Sequence, residues 1–263
     1  MRETGQAPGN EAKGPLAEVF RDRDVARAYR QRAPYPEETF ALLEELLVAP
    51  RTVLDVGSGS GLLARRMVRF AARVDAIDPS AAMIEEGRRL PGGADPRLRW
   101  TVGAAETAPL DPPYGLITAG TSIHWMTPEV AMPRFRAALA PGAHLAILET
   151  DDGDFPMPEL LEVIKRHSEL HADQVDGFAE RLARLEATGR FVKEGERRTA
   201  PITLRRSVEE YLEYLHSTST LARVRLGERA DRFDAEIRAV FAQRGIAVVD
   251  QQVVGVVAWG QPR

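Results

Sequence analysis

Cysteine is missing altogether from the 263 residues, which removes disulfides, thiolate nucleophiles and cysteine-ligated metal sites together. Nor is there an excess of positive charge. Lys and Arg number 35 against 39 Asp and Glu, a net charge of −4, so no basic field is available to follow a nucleic-acid backbone. No apolar run approaches the roughly 20 residues a membrane helix needs. Met1–Pro15 lacks the apolar core of a signal peptide and, rich in Gly, Pro and Gln, is expected to be a disordered tail. Hydrophobic residues make up 44% of the chain, enough for the core of one large globular domain. Together these features point to a cytoplasmic chain whose partner is a small molecule, with neither nucleic acid nor membrane. A homo-oligomer is compatible with all of them.

What is present is an alternation. Leu16–Arg30 and Pro36–Val48 read as helices, the second with Pro36 at its first position and Leu42, Leu43, Leu46 and Leu47 on one face. Strands are then expected at Val53–Val56, Arg73–Asp78, Leu98–Val102, Gly115–Ala119 and Ala143–Leu148. Helices are expected at Leu62–Phe70, after Ser80 as N-cap, and over Pro128–Ala140 with Thr127 as N-cap. Strand and helix alternating over about 100 residues predict a parallel sheet with right-handed crossovers. Beyond Thr150 the pattern changes. Asp151–Pro158 reads as a loop, Glu159–Ala187 as largely helical with Gly189 as its stop, and Arg190–Arg205 as containing an extended segment. Ser207 and Glu210 form a capping box, a helix follows near Glu228–Arg244, and Ile246–Trp259 alternates like a strand. The expected fold is a Rossmann-like, seven-stranded, mostly parallel α/β sheet with helices on both faces and a helical cover. Residues 1–15 would be a tail, 16–150 the core, 151–245 the cover with a sixth strand, and 246–263 the last strand, all in one globular domain.

The stretch VLDVGSGSG, residues 53–61, places three glycines at the carboxyl end of the first strand. In an open parallel sheet ligands bind there, at the switch point, where a glycine can adopt φ > 0 and let ligand atoms near the backbone. Asp78, ending the second strand, is positioned to accept both hydroxyls of a ribose. The spacing G-x-G-x-G differs from the dinucleotide fingerprint G-x-G-x-x-G, and Asp55, two residues before the first glycine, would repel a pyrophosphate. It would suit an ammonium group, which points to S-adenosylmethionine.

VLDVGSGSG resembles the first motif of class I S-adenosylmethionine-dependent methyltransferases, and DAIDPSAAM resembles their second. GAAETAPL is similar to their adenine-side segment, and TSIHWMTPE with FRAALAPGAHLAIL to their fourth and fifth strands. RAYRQRAPYP resembles the R-P-x-Y-P segment of the trans-aconitate methyltransferase-like subgroup, which has a similar H-W pair. The resemblance covers Ala26–Leu148. It implies that Gly57, Ser58, Gly59 and Gly61 approach the methionine part of the cofactor and that Asp55 meets its amino group. Asp78 would hold the ribose, with Pro79, Ser80 and Met83 near the adenine, Ala105 and Glu106 at its amino edge, and Thr121 and Trp125 in the pocket wall. Tyr35 would join them, with Arg32 or Tyr35 reaching the cofactor carboxylate or the acceptor. Two positions depart from the family pattern: Ala104 stands where many relatives have an acid, and Tyr114-Gly115 replaces the usual Asp before the fourth strand.

The implied reaction is methyl transfer from S-adenosylmethionine to a small molecule at a hydroxyl or carboxylate oxygen. Alignment supplies much of such a displacement. A hydroxyl acceptor also needs a base, and His124 is the candidate, with orientation of Trp125 as its alternative role. Competing readings are a cofactor binder that transfers nothing and a nicotinamide-dependent dehydrogenase. No metal is expected. His167 and His171 share a helical spacing but lack a third ligand, and Asp151, Asp152 and Asp154 read as a solvated turn rather than a magnesium site. Glu149, His216, the STST run at 217–220, and Arg205, Arg206, Arg223 and Arg225 are further candidates for the acceptor side. Tyr211, Tyr214 and Leu215 suggest an apolar inner face for the cover.

Overall fold

A computed structural model describes residues 13–153, 157–168 and 177–263. The central sheet begins with β1 (Thr52–Val56), β2 (Arg73–Asp78) and β3 (Leu98–Val102), followed by β4 (Tyr114–Gly120) and β5 (Leu139–Asp151). It ends with β6 (Phe191–Arg198), β7 (Ile202–Ser207) and β8 (Val248–Pro262). The order is β3-β2-β1-β4-β5-β8-β6, with β7 also paired to β8. The first five strands are parallel, and β8 runs antiparallel between β5 and β6. Every residue of β1 is buried, as expected of a central parallel strand covered on both faces. Val53 aligns with Val74 on one side and Leu116 on the other. The chain thus leaves β1 for β2 and β3, then returns to β4 on the other flank. That reversal opens a crevice beyond the carboxyl ends of β1 and β4.

The period-2 alternation of the strands divides the core between the two faces. Leu54, Val56, Ile117 and Leu145 pack with Met132 and Phe135 of α6 (Pro128–Ala138). Val53, Val74, Leu116 and Leu148 pack with Phe40 and Leu43 of α3 (Glu37–Leu46) and with Met67 of α4 (Ala64–Met67). A third cluster builds the cover from α7 (Pro158–His167), α9 (Val208–His216) and α11 (Ala230–Gln243), through Leu160, Tyr211, Leu215, Phe233 and Phe241. Completing the helices are α1 (Lys13–Glu18), α2 (Arg23–Ala28), α5 (Ala81–Arg89), α8 (Phe178–Ala187) and α10 (Arg223–Leu226). Among the described residues no helix is long and apolar enough to cross a membrane.

Two of the predicted caps are present, whereas Thr127 makes no side-chain cap bond to α6. Ser80 accepts from Met83 N at 3.1 Å, and Ser207 and Glu210 form the capping box. Several boundaries differ from expectation: β5 takes Leu139 and Ala140, expected in the helix before it, and Asp151, expected in the loop after it. The first helix breaks at Asp22, whose carboxylate accepts from Asp24 N and Val25 N and starts α2 afresh, because such a side chain offers the backbone an N-cap in place of helix continuation. Lys13–Pro15, expected in the tail, already belong to α1; the rest of that tail lies outside the described residues. The helix after the glycines shrinks to α4, because Gly61 N bonds back to Ser58 O and uses the first turn as a loop. The sheet has eight strands rather than seven. The extended segment after Arg190 divides at Thr199–Pro201, and β6 and β7 lie end to end along successive halves of β8. Pro201 has no N–H to donate, and Thr199 instead brackets Gly255, its N–H reaching Gly255 O and its hydroxyl accepting from Gly255 N, both at 2.9 Å.

Candidate active site

The glycine loop is held from β2. Asp78 accepts from Gly59 N through Oδ2 and from Ser80 N through Oδ1, each at 2.8 Å, and Ser58 N donates to Ile77 O. Burial raises the pKa of Asp78 above its ordinary value, and the two amides partly counter it. Gly57 has φ of 62°, and a Cβ there would lie 2.5 Å from Ser122 Cβ. A side chain is therefore excluded by conformation and by space together. Gly61 behaves differently from expectation. Its missing Cβ faces the Trp100 ring at 2.5 Å, and it lines neither cavity described below. It lets the loop pack on β3 and does not face a ligand.

Beneath the loop, Asp55 is 1% exposed. Thr118 Oγ1 donates to its Oδ1 at 2.7 Å, while Oδ2 is buried with no hydrogen-bond partner. Burial, opposed by Thr118 and by the nearby backbone amide of Ala64, pushes its pKa up to about 7. Across the crevice, Thr121 follows β4 with φ of 49°, a left-handed conformation costly for a β-branched residue and of the kind that gathers at functional sites. Its hydroxyl lies 3.4 Å from Tyr35 OH. Arg32 stacks over Tyr29 at 5.2 Å and Tyr214 at 5.9 Å, and its Nη2 donates to Ser217 O at 3.0 Å. Its Nε is buried without a partner.

These groups line two adjoining cavities. The smaller, about 150 Å³, is walled by Tyr35, Asp55, Ser58, Asp152 and Tyr214. The larger, about 560 Å³, is walled by Gly59, Asp78, Pro79, Met83, Ala105, Glu106, His124 and Trp125. Gly57, Thr121, Tyr29, Arg32 and Glu149 face both, so the two join at the tip of the glycine loop. Glu106 uses one oxygen to accept from Thr127 N at 2.8 Å, while the side-chain N-cap expected of Thr127 is not made. His124 sits in the one-turn helix Ile123–Trp125 with its ring 4.7 Å from that of Trp125. The expected site residues are thus assembled at one place, Gly61 excepted.

The structure also brings in residues the sequence did not single out. Phe20 packs edge-on against Trp125 at 5.8 Å and Tyr29 at 6.2 Å, and its carbonyl accepts from Ser80 Oγ at 2.6 Å, so the amino-terminal segment roofs the larger cavity. Ser122 donates to Val56 O at 2.8 Å and lines the same cavity. Arg181 of α8 forms an ion pair with Glu149 at the cavity wall. Phe20 and Arg181 carry no local sequence signal, since both are brought in from distant elements, whereas Ser122 adjoins Thr121. Within the STST run, Thr218, Ser219 and Thr220 do line the larger cavity.

Several acceptor-side candidates lie elsewhere. His216 is buried against Asp234 and Leu221 O and faces neither cavity. Arg205 pairs with Asp250, Arg223 with Asp234, and Arg206 bonds to Gln251 and Gln31 O; Arg225 does not line these cavities either. Tyr211 is sealed inside the cover. Asp151 ends β5 and pairs with Arg198, and Asp154 lies outside the described residues. His167 meets Glu236 at 3.3 Å, whereas His171 is outside the described residues.

With this geometry established, similarity to known proteins gains meaning. Residues 53–142 match the methyltransferase domain family. An uncharacterized methyltransferase of Mycobacterium tuberculosis is 33% identical over 149 residues, 56% of this chain and 59% of that protein. A trans-aconitate 2-methyltransferase of Paracidovorax citrulli is 41% identical over 117 residues, 42% of this chain and 43% of that protein. The chain therefore spans between two-fifths and three-fifths of the length of these relatives. A solved structure from Anaeromyxobacter dehalogenans, assigned as a type II methyltransferase, superposes with a TM-score of 0.64. It is 25% identical and covers 88% of this chain and 99% of its own.

Proposed function

We propose that this chain, which belongs to the class I S-adenosylmethionine-dependent methyltransferase family, moves a methyl group from S-adenosylmethionine to an oxygen of a small-molecule acceptor. The observation that carries the reading is the unpartnered Oδ2 of buried Asp55, beside a glycine loop organised by Asp78. A lone buried acceptor of this kind suits an ammonium donor and would repel a pyrophosphate, which favours an amino-acid-bearing nucleoside over a dinucleotide. The residues present fit that donor. Asp55 takes its ammonium, Arg32 its carboxylate, and Asp78 its ribose hydroxyls. Pro79, Met83, Ala105 and Glu106 flank the adenine.

The donor supplies an electrophilic methyl on sulfur, and the chain supplies position and dryness. Phe20, Tyr29 and Trp125 close the larger cavity from above, and water exclusion with alignment is what a displacement of this type needs. Left on the acceptor side are His124, Glu149, Arg181 and Thr218–Thr220. For a hydroxyl acceptor, His124 removes the proton; a carboxylate acceptor needs no base. The trans-aconitate 2-methyltransferase relatives favour the carboxylate. A cytoplasmic setting, which suits a cysteine-free chain, is part of the same proposal.

Titration calorimetry with S-adenosylmethionine, S-adenosylhomocysteine and NAD in parallel tests the donor. Micromolar binding of the first two with none of NAD is expected, and binding of NAD alone would overturn the reading. Formation of S-adenosylhomocysteine with a panel of carboxylate and hydroxyl acceptors then separates a transferase from a binder that transfers nothing.

A further inference from the structure

The segment Ser217–Leu221 joins the cover to the larger cavity. Thr218, Ser219 and Thr220 line that cavity, Ser217 O holds Arg32, and Ala222 packs with Val25 and Met83 beside the expected adenine wall. Both ends of this segment are tied to one ring. His216, 5% exposed, places Nδ1 at 2.8 Å from Leu221 O and Nε2 at 2.8 Å from Asp234 Oδ1.

A carbonyl only accepts, so Nδ1 carries a proton. The second contact then sets a lone pair of Nε2 against a carboxylate unless a second proton lies between them. Arg223 pairs with the other oxygen of Asp234, a charge-assisted contact made by a carboxylate rather than a carboxylic acid. The proton therefore resides on the imidazole. From this geometry we infer that His216 is a positioning residue: its imidazolium clasps the cavity-lining segment Ser217–Leu221 to Asp234, and loss of that proton loosens the wall of the donor cavity.

The groove beside the ring is charged on every side. Asp22, Asp24 and Arg27 face it from α2, Arg30 from the turn that follows, Glu209 and Glu213 from α9, and Arg223, Asp234 and Arg238 from α10 and α11. Most are paired: Arg27 with Asp24, Arg30 with Glu86, and Arg238 with Glu209. Among these groups the imidazole alone makes both ties, to the segment and to Asp234. When it deprotonates, the Leu221 bond survives only if Nε2 turns its lone pair on Asp234. One of the two ties is given up.

The test has two arms. In the ligand-free protein, nitrogen-15 spectra of the histidine rings, assigned by comparison with His216→Gln, report how many ring nitrogens of His216 carry hydrogen at about pH 6.5; two are expected, and one would overturn the inference. In the second arm, which rests on the donor-binding reading, calorimetry follows 5′-methylthioadenosine, a probe without the titrating amino group. Its affinity for the wild-type protein is expected to fall about fivefold between about pH 6.5 and 9.5, the worth of one hydrogen bond, and to be flat in His216→Gln and in Asp234→Asn. Equal pH dependence in wild type and both variants, or none in the wild type, overturns the clasp. A protein that binds no adenosine probe at any pH refutes the donor reading instead, and the ring spectra still decide the clasp.

Discussion

Asp55 gives the sharpest prediction, because the group proposed to hold the donor's ammonium is only half ionised near pH 7 before the donor arrives. Burial raises its pKa from an ordinary 3.8 to about 7, a shift on the order of 4 kcal/mol against the ionised form. In the ligand-free protein the neutral form is favoured below about pH 7, so its stabilising contribution is complete below the unfolded pKa and lost as pH rises through about 7. A bound ammonium reverses the preference by favouring the carboxylate, lowering the pKa by about 1–3 units. Donor affinity must then rise with pH, by about tenfold between pH 5.5 and 7.5, a window below the range where a ligand α-amino group loses its own proton. Calorimetry with S-adenosylhomocysteine is the assay. 5′-Methylthioadenosine, which lacks the amino-acid end, should show no such rise. Asp55→Asn should bind weakly and without slope, whereas His124→Gln should keep the slope, which removes protonation of His124 as its cause. A flat wild-type profile, or a slope that survives in Asp55→Asn, would refute the assignment.

Other perturbations follow from the same geometry. Asp78→Asn keeps the side chain's size while weakening its bonds to Gly59 and Ser80 and the proposed contact with the ribose, and should cost about 1–3 kcal/mol in donor affinity by calorimetry. Gly57→Ala puts a methyl group where Ser122 Cβ leaves 2.5 Å, at a φ that alanine resists. It should lower stability by about 1–3 kcal/mol, read as a melting temperature several degrees lower, and abolish donor binding; an unchanged melting temperature would contradict the loop geometry. Phe20→Ala removes the edge-on contact with Trp125 and should weaken adenosine binding by about 0.5–1.5 kcal/mol, leaving the fold intact by circular dichroism. His124→Gln should reduce kcat on a hydroxyl acceptor by about 100-fold or more with little change in donor affinity, and equal losses on hydroxyl and carboxylate acceptors would assign the ring a positioning role.

Much of this architecture was legible because its signals are local. Arg73–Asp78 and Leu98–Val102 are strands with the bounds read from the sequence, since short apolar runs between turn residues leave few alternatives. The caps at Ser80 and Ser207 act within four residues, so they too are visible. Less visible was anything that depends on a competitor for the backbone. Asp22 could continue a helix or cap a new one, and Thr199–Pro201 could continue a strand or interrupt it. Only the packing of Thr199 against Gly255 and β8 separates those outcomes.

The sequence by itself determined that three glycines and two carboxylates would meet at the end of a parallel strand, because spacing along β1 and β2 places them there in any sheet of this kind. It could not divide the labour among them. Gly57 faces the ligand crevice and Gly61 faces Trp100, although both belong to the same motif and share a left-handed φ. That division depends on what β3 sends toward the loop. The roof from Phe20, the Glu149–Arg181 pair and the turning of His216 toward Asp234 were likewise decided by tertiary structure alone. Each joins residues far apart in the chain, and which partner a side chain finds there depends on packing that no local pattern encodes.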